Sequence, residues 1–81
     1  MALSCLAEDS PPKVELDGVI QQLPAGQLIG IWMVSERAVV VTDGTVIEED
    51  DGPIRVGAKV EIEGFLGPDG SITARKVETQ D

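Results

Sequence analysis

Apolar and polar residues alternate with a period of two along most of the chain, which is the pattern of β-strands that bury one face. The alternation is clearest over residues 59–66, where one face carries Val60, Ile62, Gly64 and Leu66 and the other carries Lys59, Glu61, Glu63 and Phe65. No twelve-residue window of residues 13–78 shows the 3.6-residue period of an amphipathic helix. The pattern therefore predicts an all-β domain with no substantial helix.

Turn residues divide this pattern into five or six short strands. We place the strands at about residues 13–23, 28–34, 37–42, 45–47, 59–66 and 71–78. The connections carry Pro, Gly, Asp or a short polar pair, which are residues that favour tight turns. A bulge or a close crossing is expected at Gly18. A second bulge is expected near residues 75–76, because Val77 falls out of step with the inward-facing Ile72.

Short strands joined by hairpins indicate a sandwich or a small closed barrel, and closure is favoured because it removes exposed sheet edges. Glycines within three of the strands fit a chain that bends sharply around a narrow barrel, although three unrelated bulges would give the same pattern. Residues 1–12 show no period and end in two prolines. We predict a flexible N-terminal tail over residues 1–12 and a single small antiparallel β-barrel domain over residues 13–81.

The stretch 28–34 is apolar on both of its faces. If one face packs into the barrel, then Ile29, Ile31 and Met33 point outward as a contiguous apolar patch, which on a soluble protein marks a partner surface. This patch could be covered by the tail, by a second copy of the chain, or by another protein or domain. The alternative is a central sandwich strand that is covered on both sides within the monomer. We treat Ile29, Ile31 and Met33 as a hypothetical interaction surface for a homodimer or another protein.

The amino-acid composition excludes several kinds of catalytic and metal-binding site. The 81 residues include 15 acidic residues, 6 basic residues and no histidine, for a formal charge of −9. Histidine-based catalysis and histidine metal sites are therefore excluded, and Cys5 has no histidine to activate it. Glu61 and Glu63 share an outer face, but acid–base catalysis also needs a pocket that excludes water, and a small filled barrel has little room for one. We expect no enzyme, no catalytic residue and no cofactor.

The same charge argues against nucleic acid as a partner. Binding to single strands combines a cationic groove with aromatic stacking platforms, whereas six scattered basic residues in a chain of charge −9 repel phosphate. Trp32 is the one tryptophan, and its place inside an apolar strand predicts a core residue. The sequence also lacks an apolar run of roughly 20 residues, so membrane insertion is not expected.

An acidic stretch between the fourth and fifth strands is the second candidate site. Carboxylates and carbonyls are the ligands that calcium prefers, and the candidates are Asp43, Glu48, Glu49, Asp50 and Asp51. With Gly52 at the sixth position of an EF-hand loop, the first and twelfth positions would be Ile47 and Ala58, and neither supplies a carboxylate. A solvated acidic loop is therefore favoured over a dedicated metal site, with weak calcium or saccharide binding as the alternative.

Several short segments share an order and spacing with a known family. They are Gly18-Val19-Ile20, Leu23-Pro24, Gly30 to Val34, Val39 to Val41, Thr45 to Ile47, Gly57 to Gly64 and Asp69 to Ala74. Over about residues 14–78 the chain resembles a bacterial domain-of-unknown-function family, number 5666, whose members resemble OB-like small β-barrels. The resemblance implies such a barrel, implies no catalytic residues, and suggests an exported or envelope-associated protein. The sequence shows no recognisable export signal, so the compartment is left open.

These observations predict a non-catalytic module. We expect a structural or protein-interaction domain that acts through apolar strand surface and is kept soluble by its acidic residues. The alternative is an OB-like module that binds a small ligand, saccharide or calcium, through the loops at the barrel end.

Overall fold

The computed structural model describes residues 12–80, so the predicted tail lies outside the described residues except for Pro12. These residues form six strands and no helix, which confirms the all-β prediction. The strands are β1 (Lys13–Gln22), β2 (Gly30–Val34), β3 (Arg37–Val41), β4 (Val46–Glu48), β5 (Lys59–Leu66) and β6 (Ile72–Gln80).

Five of the strands close into a hydrogen-bonded ring in the order β1-β2-β3-β6-β5, and β5 returns to β1. The pairings β1–β2, β2–β3, β1–β5 and β5–β6 are antiparallel, as predicted. The two remaining pairings, β3–β6 and β4–β6, are parallel. They join strands that are distant in the chain, and the first of them closes the ring.

The inward-facing residues of the ring form one apolar core. Its buried members are Ile20, Trp32, Val34, Val39, Val41, Val60, Ile62, Ile72, Ala74 and Val77. Trp32 is fully buried, as predicted, and its indole N–H donates a 2.7 Å hydrogen bond to the Leu28 carbonyl. The largest core side chain therefore keeps its polar atom satisfied while it fills the barrel.

The β2–β3 hairpin turns at Ser35 and Glu36, the two residues predicted for this connection. Both have positive φ, at 48° and 68°, as a type I′ turn requires. β1 supports this turn, because its Val19 N–H donates to the Ser35 hydroxyl at 3.0 Å and its Gln21 side chain accepts the Glu36 N–H. These bonds hold a turn that two non-glycine residues adopt only rarely.

The bulge predicted near residues 75–76 is confirmed. Glu63 pairs with Lys76 and Gly64 pairs with Ala74, which leaves Arg75 as the extra residue of β6. Gly64 is needed there, because a Cβ at this position would overlap the backbone carbonyl of Thr73.

At Gly18 the structure shows the close crossing and not the bulge. The pairing of β1 with β5 continues without a break through Gly18 and Val60. A Cβ at Gly18 would lie 2.5 Å from the Ser35 hydroxyl oxygen and 2.9 Å from a methyl carbon of Val34, so β1 approaches the end of β2 and its turn too closely for a side chain. The irregularity of β1 lies instead between Ile20 and Gln22.

Candidate protein-interaction face

The outer side of the β2–β3 hairpin carries an uncharged surface that we call the apolar face. Its members are Ile31, Met33, Ala38 and Val40 of the two strands, together with Ile29 in the bend just before β2. Ile31 lies opposite Val40, and Met33 lies opposite Ala38. Ile31 is 62% exposed and Ile29 49% exposed, whereas the other three are half-buried. No other part of residues 12–80 covers Ile31, so the alternative of a strand buried on both sides is wrong.

Leu28 departs from the expected alternation. The sequence places it in the second strand, but the strand begins at Gly30, and Leu28 lies in the preceding bend with 38% of its surface exposed. Gly30 has a φ of 144°, and a Cβ there would lie 2.8 Å from the Pro24 ring. The loop from β1 therefore packs against the start of β2, and regular pairing begins only after it.

The uncharged surface continues beyond the hairpin. Val40 of β3 pairs with Thr73 of β6, and Thr73 pairs with Phe65 of β5. Phe65 is 36% exposed, so the row Phe65, Thr73, Val40, Ile31 crosses four neighbouring strands without a charge. The sequence predicts that Phe65 faces outward, but its proximity to the apolar face depends on the parallel β3–β6 pairing, which the pattern does not predict.

A second wall of the ring is acidic, and we call it the acidic wall. It consists of Glu15, Asp17, Glu61, Glu63 and Glu78 on the outer side of β1, β5 and β6. Asp17 lies opposite Glu61, which in turn lies opposite Glu78, so three carboxylates follow one another across the strands. Like charges placed in this way repel one another.

Basic residues beside the acidic wall offset part of this repulsion. Arg75 contacts Glu63 at 2.9 Å, and the Lys76 ammonium lies 3.7 Å from Glu48 and 3.8 Å from Glu78. These pairs are partly exposed to solvent, so each contributes little to stability. Glu61 and Glu63, the pair that we considered for acid–base chemistry, belong to this wall.

The predicted ligand-loop residues do not form one cluster. Asp43 lies in the β3–β4 turn, and the other four lie at β4 and in the loop after it. The Glu49 carboxylate accepts the Ile54 N–H at 2.8 Å, a hydrogen bond within the β4–β5 loop. Within residues 12–80, no group of three or more Asp, Glu, Cys or His side chains is arranged to hold a metal ion.

The buried Thr79 hydroxyl fastens this loop to the barrel. It accepts the Asp51 N–H at 3.2 Å and donates to the Glu48 carbonyl at 3.4 Å. A cleft beside it is lined by Asp51, Gly52, Pro53, Arg55, Gly57, Ala58, Lys59, Thr79 and Gln80. Of the predicted loop residues only Asp51 lines this cleft, and the sequence pattern does not indicate that Arg55 and Lys59 lie beside it.

Asp69 organises the β5–β6 turn. The hydroxyl of Ser71 donates a 2.7 Å hydrogen bond to the Asp69 carboxylate, and the Ser71 N–H donates a second at 3.1 Å. These two bonds favour the ionised form and lower the pKa of Asp69 below its ordinary value. The carboxylate therefore stabilises the turn and faces solvent.

A family model described as "Domain of unknown function (DUF5666)" matches residues 17–78. The chain belongs to the DUF5666 family. This confirms the resemblance that the sequence motifs indicated. The match spans the second half of β1, all of β2 to β5 and most of β6. The whole apolar face and all of the acidic wall except Glu15 therefore lie within the DUF5666 domain.

The other comparisons add no further likeness. Neither the curated proteins nor the solved structures include a match to the chain. Over residues 12–80 there is no helix long and apolar enough to cross a membrane.

Proposed function

We propose that this DUF5666 domain is a non-catalytic, OB-like protein-interaction module of a bacterial protein, and that it binds protein through its apolar face. The observation that carries the proposal is the 62% exposure of Ile31 in the middle of an uncharged stretch of two paired strands. Burial of the exposed part of this side chain in a complex stabilises the complex by roughly 1–2 kcal/mol.

The surroundings of the apolar face support a protein partner. Residues 28–34 and 38–42 contain no charged side chain in a chain whose net charge is −9. Depletion of charge at the centre, with polar residues at the rim, is the composition of protein–protein interfaces. Glu36 and Arg37 lie at the turn end of the hairpin, and most other charges lie elsewhere on the ring, above all on the acidic wall.

The place of the apolar face in the ring supports an OB-like mode of binding. OB-fold barrels bind their ligands on the outer face of strands 2 and 3 and on nearby loops. In nucleic-acid binders this surface offers aromatic platforms and cations, whereas here it offers Ile31, Met33 and Val40, and Trp32 points into the core. An apolar protein surface is the partner that such side chains match.

Site-specific photo-cross-linking tests the proposal. A photoreactive amino acid replaces Ile31 in one variant and Val56 in a control, because Val56 is 56% exposed and lies in the turn before β5, outside the apolar face. Both variants are irradiated in a lysate of the source organism, with unlabelled wild-type protein or its Ile31→Glu variant as competitor.

The expected result is a discrete protein adduct from position 31 that position 56 does not give. Wild-type competitor should suppress the adduct, and the Ile31→Glu competitor should not. An equal adduct pattern from both positions, or no adduct, would contradict a binding role for the apolar face. An adduct with the chain itself counts as support, because a second copy is a protein partner.

A further inference from the structure

We propose that the partner of the apolar face is a second copy of this chain, in a symmetric dimer whose two-fold axis runs along β2 and β3. This inference rests on the proposed function and names its partner. Two sheets of this kind pack face to face at about 10 Å with nearly aligned strands. Such an interface is isologous, since the same surface contributes from both protomers.

The side-chain sizes on the hairpin are self-complementary in this arrangement. At both outward positions the larger residue lies on β2 and the smaller on β3, with Ile31 opposite Val40 and Met33 opposite Ala38. A two-fold axis parallel to the strands places β2 of one protomer over β3 of its partner. Ile31 then packs on the partner's Val40, and Met33 packs on the partner's Ala38, so large side chains meet small ones, as dense packing requires.

The placement of charge fits the same arrangement. Two chains of net charge −9 repel each other, so a dimer must keep its carboxylates apart. The acidic wall lies on β1, β5 and the C-terminal half of β6, whereas the interface is centred on β2 and β3. The apolar face itself carries no carboxylate, and Glu36 lies at the turn at its end, exposed to water. Charges farther apart than about 8 Å are largely screened at physiological salt.

The arrangement of apolar surface also suits a dimer. The exposed Ile29 and Ile31 adjoin the half-buried Met33 and Val40, and the exposed Phe65 follows across Thr73. Patches of a few hundred Å² are the largest that monomers usually expose. An interface of standard size buries about 800 Å² on each side, somewhat more than half of it apolar. A patch of this kind provides the centre of such an interface, and the flanking polar residues provide its rim.

Sedimentation equilibrium over a range from low micromolar to near millimolar protein tests the dimer. We expect the wild-type chain to dimerise and Ile31→Glu to raise the dimer Kd by at least about a hundredfold, because each dimer would bury two unpaired carboxylates. Val56→Glu carries the same added charge at a similarly exposed site and should leave the Kd within about threefold. Circular dichroism confirms that each variant is folded.

A mixing experiment tests the direction of the axis. Val40→Lys should also abolish self-association, but an equimolar mixture of Ile31→Glu and Val40→Lys chains should form a heterodimer at least about tenfold more readily than either chain alone. The reason is that position 31 of one chain faces position 40 of the other. Absence of this rescue, with the wild type dimeric, would overturn the proposed packing of β2 on β3.

The dimer and the proposed function fail in different ways. A wild-type chain that stays monomeric at every concentration overturns the dimer. If position 31 then still cross-links to a different protein, the apolar face remains an interaction site and only the identity of the partner is wrong. If neither result is obtained, both proposals fall.

Discussion

The apolar face and the acidic wall are parts of the same ring and follow the same alternation, yet they present opposite surfaces. On β2 the inward residues Trp32 and Val34 are fully buried, and on β5 the inward Val60 and Ile62 are buried as completely. The outward residues differ, since β2 carries isoleucine and methionine where β5 carries two glutamates. The inner positions thus build one shared core, while the outer positions make one side apolar and the other charged.

If this division is correct, inward substitutions on either wall should be costly and outward substitutions should be mild. Trp32→Ala, behind the apolar face, is expected to have the largest effect. Removal of this fully buried side chain should lower the free energy of unfolding by about 3–5 kcal/mol. Urea denaturation measures the loss, and Trp32→Phe, which refills most of the space, should cost clearly less.

Gly64→Ala makes the corresponding change on the inner side of β5. The new methyl group would overlap the Thr73 carbonyl at the β6 bulge, so the strands must shift, at a cost of about 2–3 kcal/mol. Gly44→Ala is the matched control, because the nearest atom to its added Cβ, the Thr42 hydroxyl oxygen, lies 3.7 Å away. If both variants unfold at the same denaturant concentration, the close packing at the bulge is not what makes Gly64 necessary.

Glu61→Gln tests the outer side of the acidic wall. Glu61 lies between Asp17 and Glu78 across the strands, so neutralising it should stabilise the fold by about 0.5 kcal/mol at low salt. The gain should shrink as salt is added, because exposed charges are screened. Asp50→Asn changes the net charge equally in a loop and should give a smaller gain. The variants are compared by their thermal unfolding temperatures at two salt concentrations. Equal gains and equal salt dependence in both variants would argue against repulsion within the acidic wall.

Asp69→Asn should have the smallest effect, a slight loss of stability near neutral pH that disappears in acid. Hydrogen bonds from Ser71 lower the folded-state pKa of Asp69, so its ionised form stabilises the fold above its unfolded pKa of about 4. This contribution is lost as the pH falls through the lower folded-state pKa. The variant should therefore show a flatter loss of stability below about pH 4 than the wild type. Ser71→Ala should reproduce most of this flattening, and an unchanged acid slope in both variants would contradict the assignment.

Much of the local structure was predictable from the pattern. The strand faces, the turn at Ser35–Glu36, the bulge near Arg75 and the outward direction of Ile31 all follow from a two-residue period and from turn chemistry. Each depends on residues close in the chain. At Gly18 the pattern left a bulge and a close crossing open, and only the structure shows the close crossing, because the approaching side chains, Ser35 and Val34, are distant from Gly18 in the chain.

The sequence by itself determined which residues face inward, where the chain turns and which strand carries an apolar outer side, because these are properties of neighbouring residues. Only the tertiary structure decided the parallel pairing of β3 with β6, which brings Phe65 and Thr73 into line with Val40 and Ile31. It also decided that the acidic residues of β1, β5 and β6 gather on one wall away from that row. The physical reason is that pairing between distant strands is fixed by closure of the ring around one core, to which every strand contributes at once.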